Sequence, residues 1–189
     1  MRWQQLFADL QAEFDEVAAR EERAELPSRS RAETSAVRLA ERLGGAVGGR
    51  VSLRCRGAGE IAGRLEEAGT DWALLADDAG REVLVALPAV VVASGLVRST
   101  AVTGPSTRVR AALDLRWALR GLARDRSAVA VVLDDGALLT GTVDRVGADF
   151  VELAEHAPDE FRRPGAVRSV RAVALAAVAV VRTLSPGAA

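Results

Sequence analysis

The stretch GTVDRVGADFVELA, Gly141–Ala154, decides how this chain reads, because a near copy, GRLEEAGTDWALLA, stands at Gly63–Ala76. A displacement of 78 residues sets Gly63 on Gly141, Gly69 on Gly147, Asp71 on Asp149, Trp72 on Phe150, Leu75 on Leu153 and Ala76 on Ala154. An internal repeat of this length points to a duplicated structural unit. Each copy holds a glycine, an apolar-alternating run, a turn with Gly and Asp, and an aromatic that opens the next run. Gly69 and Gly147 fall in hairpin turns, where a positive φ would favour glycine. Gly63 and Gly141 fall inside strands, where glycine marks a sharp bend or a close backbone approach.

Outward from the repeat, Val51, Leu53 and Cys55 alternate with Ser52, Arg54 and Arg56, which predicts a half-buried strand. Further strands are expected at Ile61–Glu66, Trp72–Ala76, Glu82–Leu87 and Ala89–Ala93. The second set starts at Val129 and continues through Leu138–Asp144, Phe150–Ala154, Ser169–Leu175 and Ala177–Val181. Beyond Asp78 the second copy needs about ten extra residues, so that Leu87–Val90 falls on Leu175–Val178. A helix is expected ahead of each set. One carries Val37, Ala40 and Leu43 and stops at Gly44-Gly45; the other spans Thr107–Arg124, with Val109, Ala112, Leu119 and Leu122 on its apolar face.

This pattern resembles the Sm-like barrels: a helix, then five strands, with an apolar-x-apolar first strand, a bending glycine and a final pair of short strands. Val51-x-Leu53, Gly63-x-Leu65 and Leu87–Ala93 carry the resemblance in the first copy. Val129-x-Val131, Gly141-x-Val143 and Leu175–Val181 carry it in the second. It implies an α+β, mainly β chain with two small five-stranded bent antiparallel barrels, each preceded by helix. The expected organisation is N-terminal helices over residues 1–44, a first barrel over 45–97, a linker and Arg-rich helix over 98–127, a second barrel over 128–183 and a disordered tail over 184–189. RNA-binding members of that family carry Asn after the residue that opens the third strand. Here those positions are Ala73 and Val151. The basic-Gly pair near the last hairpin is also missing; Ser94-Gly95 stands nearest to it. The family's base-binding site is therefore not carried over.

Composition narrows the function classes. The 25 basic side chains are all arginine, against 26 acids, for a net charge of -1. That balance gives no global electrostatic footprint for nucleic acid or an anionic membrane. Cys55 is the single cysteine, so an internal disulfide is excluded and a reducing cytoplasm is the expected setting. The N-terminus turns acidic where a signal peptide would be apolar. The apolar runs Val83–Val97 and Ala172–Val181 are too short or too interrupted to span a bilayer and are rich in valine, so they read as strands.

Two surfaces are candidates for binding. Arg116, Arg120 and Arg124 are spaced four apart and form one helix ridge, with Trp117 beside it; that arrangement suits phosphates and a stacked base. The N-terminal stripe Trp3, Phe7, Leu10 and Phe14, continued by Val17, suits a protein partner or a second copy of the chain. His156, the single histidine, is expected to be exposed at the polar end of a hairpin, and Cys55 to be a buried thiol. One Cys and one His do not make a zinc site of the usual type. Glu66-Glu67, Asp77-Asp78 and Asp134-Asp135 read as turn and surface acids, and neither Gly57–Gly63 nor Gly44–Arg50 has the form of a nucleotide loop. The sequence thus implies a non-enzymatic protein with no cofactor, metal, membrane or small-molecule partner. Two partner classes remain: nucleic acid through the arginine ridge, or protein through the barrel edges and the aromatic helix.

Overall fold

The alternation at Val51, Leu53 and Cys55 forms strand β1 (Arg50–Cys55), with those three side chains buried and their neighbours turned outward. The computed structural model describes residues 37–96, 113–157, 163 and 165–184. The first copy continues as β2 (Gly59–Ala68), β3 (Trp72–Ala76), β4 (Glu82–Ala86) and, after one turn of 3-10 helix, β5 (Val90–Ser94). The second copy gives β6 (Ala128–Leu133), β7 (Leu138–Val146), β8 (Phe150–Glu155), β9 (Ser169–Ala174) and, after a matching 3-10 turn, β10 (Val178–Thr183). Two α-helices occur among the described residues: α1 (Leu39–Gly44) and α2 (Leu115–Asp125). All these elements belong to one compact unit, Leu39–Ala189.

The duplication holds in three dimensions, ladder by ladder. Leu53 pairs with Ala93 and Cys55 with Val90; the corresponding Val131 pairs with Val181 and Leu133 with Val178. The β2–β3 ladder slips between Leu65 and Glu67, and the β7–β8 ladder slips at the matching Val143 and Arg145. Even isolated backbone bonds repeat: Leu87 N–H to Asp71 O at 2.8 Å is matched by Leu175 N–H to Asp149 O at 2.8 Å.

The expectation of two barrels is overturned. The ten strands form one antiparallel sheet in the order β5-β1-β2-β3-β4-β10-β6-β7-β8-β9, and it does not close. The reason lies at β4. Its outer edge is taken by β10 of the second copy, through Val85–Val180, Leu84–Val181 and Val83–Arg182. The backbone groups of β4 are therefore satisfied across the copies, and one sheet runs through both. Two hydrophobic clusters line it, and each borrows from the other copy. Val132, Ala179 and Val180 join the cluster around Leu53, Leu65 and Leu75. Trp72, Leu84 and Ala86 join the one around Val129, Val143 and Leu153.

The repeated glycines divide into two kinds. A Cβ on Gly63 would lie 2.3 Å from Ala76 O, and one on Gly141 would lie 2.1 Å from Ala154 O, so the bend needs a bare backbone. Gly69 and Gly147 do not have positive φ, contrary to expectation. They are glycines because the aromatic that opens the next strand lies over them. A Cβ would sit 2.2 Å from the Trp72 ring and 2.4 Å from the Phe150 ring. At the junction, Gly57 has φ +66° and packs on the second copy's hairpin, where a Cβ would lie 2.0 Å from Leu133 O.

Candidate interaction surfaces

Helix α2 is fastened to the first copy although it precedes the second. The Asp71 carboxylate accepts from Leu115 N–H at 2.7 Å, and Trp72 Nε1–H donates to Leu113 O at 3.0 Å. Asp114, the N-cap, accepts from Trp117 N–H at 3.0 Å, and Arg126 closes the C-terminus in the left-handed conformation. The Trp117 ring stacks on Trp72, with centroids 6.4 Å apart and planes 20° apart. Leu115 and Leu119 enter the second core cluster.

The expected arginine ridge is thereby divided. Arg116 folds back onto its own helix cap, with Nε 2.6 Å from Asp114 Oδ2. Burial pushes the Asp114 carboxyl upward, but the bonds from Arg116 and the Trp117 amide outweigh it and hold the carboxyl below its ordinary range. Arg120 and Arg124 stand in solvent, Arg124 within 3.8 Å of Asp125. Trp117 is half exposed and committed on one side to Trp72. The structure thus leaves two solvent-exposed arginines, Arg120 and Arg124, where the spacing suggests three. Trp3, Phe7, Leu10, Phe14 and Val17 lie outside the described residues.

His156 is buried, contrary to expectation. Its Nδ1 lies 2.8 Å from Ala157 O, which can only accept, so Nδ1 carries a proton. In the neutral ring Nε2 then accepts from the Thr142 hydroxyl at 2.9 Å, and Thr142 is buried as well. The two side chains form a buried polar pair joining β7 to the end of β8, and none of its hydrogen bonds among the described residues aligns a second titratable group with it. Cys55 is buried and bonded weakly to Leu53 O, and burial pushes its thiol upward, away from the reactive thiolate. No cluster of three metal-ligating side chains occurs among the described residues. Asp77 turns its own loop, accepting from Ala79 N–H and Arg81 N–H, both at 2.9 Å. Asp78 is paired with Arg50 at 2.6 Å. Ala73 and Val151 are both in the core.

Among the described residues, the two ends of the sheet stand open. Strands β5 and β9 terminate the sheet, and neither has a second neighbour among the described residues. Val91 and Val92 on β5 are 60% and 50% exposed, and Val170 on β9 is exposed as well. Each end is a row of backbone donors and acceptors edged with valine, the arrangement that accepts another strand. Arg171 marks the β9 end; it is held at 2.7 Å by Glu155, which also accepts from Ser169. Those bonds keep the Glu155 carboxyl below its ordinary range, with Ser169 contributing most.

No family model, curated protein or solved structure matches this chain. Its functional reading therefore rests on geometry alone. Among the described residues no helix is long and apolar enough to cross a membrane.

Neither the anchoring of α2 by Asp71 nor the unequal fate of the strand edges is visible in local sequence. Asp71 and Leu115 lie 44 residues apart. A signal for the edges does exist: the valines of β5 line up with those of β10 once the ten-residue insertion is allowed for.

Proposed function

We propose that this protein is a non-enzymatic structural or adaptor protein that works by strand addition at the ends of its sheet. The observation that carries the reading is the exposure of valine on both terminal strands, neither of which has a second strand neighbour among the described residues. Monomeric proteins blunt such edges with charge, proline or a covering loop, because an open apolar edge templates pairing. Here β5 carries neither charge nor proline. Main-chain bonds would supply affinity, and the valines would supply fit. The nucleic-acid alternative has weaker support, since Asp114 occupies Arg116 and Asp125 stands beside Arg124.

The test is site-specific photocrosslinking in the producing cell, with the photoreactive side chain placed at Val91, at Val170 and, as a control, at exposed Arg145 on β7. Strand addition predicts covalent adducts from the two edge sites and none from the control. Adducts absent from both edges, or equal at all three sites, would overturn the reading.

A further inference from the structure

The duplication supplies a template for what the ends accept. Within the chain, the fourth strand of copy one (β4) pairs with the fifth strand of copy two (β10). The strands left open are the fifth strand of copy one (β5) and the fourth strand of copy two (β9). The open pair is thus the sealed pair with the copies exchanged.

The exposed residues follow the same exchange. Ala179 and Val180, sealed against the first copy, are 0% exposed, while their counterparts Val91 and Val92 are 60% and 50% exposed. Trp72 is 2% exposed, and its counterpart Phe150 is 37% exposed. Leu84 and Ala86 are buried, whereas their counterparts Ala172 and Ala174 are exposed. Asp71 caps a helix across the junction, while the carboxylate of its counterpart Asp149 faces solvent. Val91, Val92, Phe150, Ala172 and Ala174 thus lie open where the internal junction buries their counterparts, while Val173, the counterpart of Val85, is already buried in its own copy.

We infer that β9 of one copy of this chain pairs antiparallel with β5 of the next, repeating the β4–β10 junction head to tail. This rests on the strand-addition reading and names its occupant as a second copy. Transposing Val85–Val180, Leu84–Val181 and Val83–Arg182 sets Val173 opposite Val92, Ala172 opposite Ala93 and Arg171 opposite Ser94. Val91 and Val92 then extend the second core cluster of the neighbour, as Ala179 and Val180 extend the first within the chain. Arg171 is the departure from the template, a charge where copy one has Val83. It faces a serine hydroxyl that can accept from it, and it keeps the unpaired end soluble. The contact is heterologous: each copy uses two different surfaces, so association continues into a ring or a filament.

The experiment is sedimentation equilibrium on the full chain and on two end-blocked variants. One variant is Val91→Lys with Val92→Lys, which blocks β5. The other is Val170→Lys with Ala172→Lys, which blocks β9. The parent chain should show a mass that rises with concentration above the 19.9 kDa of one chain. Each variant alone should remain at one chain, and their equimolar mixture should form a species of two chains and stop there. Recovery in the mixture also shows that both variants fold. A parent that stays at one chain throughout overturns the inference. So does one variant that self-associates while the other does not, since that marks pairing of like ends. If edge crosslinks in the cell then carry foreign masses, strand addition stands without self-assembly; if they are absent, both fall.

Discussion

The fourth and fifth strands occur in both copies, with opposite outcomes. At the centre, β4 and β10 seal one copy to the other, and Leu84 and Val180 are lost from solvent. At the ends, β5 and β9 carry the counterpart side chains into water. Strand propensity is common to both places, so it does not account for the difference. A strand's burial is set by which neighbour reaches it, and chain connectivity delivers a neighbour to β4 and β10 only.

Substitution at matched positions should break that contrast most forcefully. Val180→Asp places a carboxylate at a fully buried position among apolar side chains, and should cost about 3 kcal/mol or more. Val92→Asp, its counterpart, should change the stability of the isolated chain by no more than about 0.5 kcal/mol. Urea unfolding at low protein concentration measures both, and equal losses would show that the centre is no better sealed than the end.

Two glycines of one hairpin sharpen the picture next. Gly57 and Gly59 both have positive φ, but Gly59 has open space around it while Gly57 abuts Leu133 O. Gly59→Ala should therefore cost about 1 kcal/mol for its backbone alone. Gly57→Ala should cost about 2–3 kcal/mol, because the hairpins of the two copies must also separate. Thermal unfolding of the two variants, side by side, checks the difference.

A smaller effect is expected at the paired turn acids. Asp71→Ala removes an acceptor from the amide that opens α2 and should cost about 1 kcal/mol. Asp149→Ala alters the same turn without a helix to cap and should be close to neutral. Chemical denaturation of both variants reads the difference, and the turn's own contribution cancels.

The smallest effect is the acid response of α2. Asp114 is held below its ordinary range in the folded chain. Its stabilisation is therefore present at neutral pH, above its unfolded value of about 3.9, and is lost as pH falls through the lower folded value. The contribution should be about 0.5 kcal/mol or less. Near-ultraviolet circular dichroism of the Trp72–Trp117 pair should follow it on acid titration, and Asp114→Asn should flatten that response.

Much of the local structure is legible in the residues. Val51, Leu53 and Cys55 announce β1 by their alternation, Gly63 and Gly141 announce the bends, and the offset after Asp78 aligns β5 with β10. Gly69 and Gly147 are legible as turn residues but not in their cause, since the ring that excludes a Cβ is a contact and not a pattern. His156 looks like a surface residue because its polarity is local, while its satisfaction depends on Thr142 across the ladder. The merging of two expected barrels into one sheet is invisible for the same reason. The continuous apolar run Val83–Ala86 marks β4 as buried on both faces and leaves open which strand lies along its edge. The arginine spacing at 116, 120 and 124 correctly finds a helix face, but the return of Arg116 to Asp114 is settled by side-chain geometry at the cap.

Amide hydrogen exchange, read by mass spectrometry at low and high protein concentration, tests the central claim most directly. The account predicts that Val178–Thr183 is protected at every concentration, while Val90–Ser94 and Ser169–Ala174 exchange quickly in dilute solution and gain protection together as the chain is concentrated. Rapid exchange of Val178–Thr183 at the rate of the two ends would contradict a sheet that runs through both copies, and ends indifferent to concentration would contradict their pairing with one another.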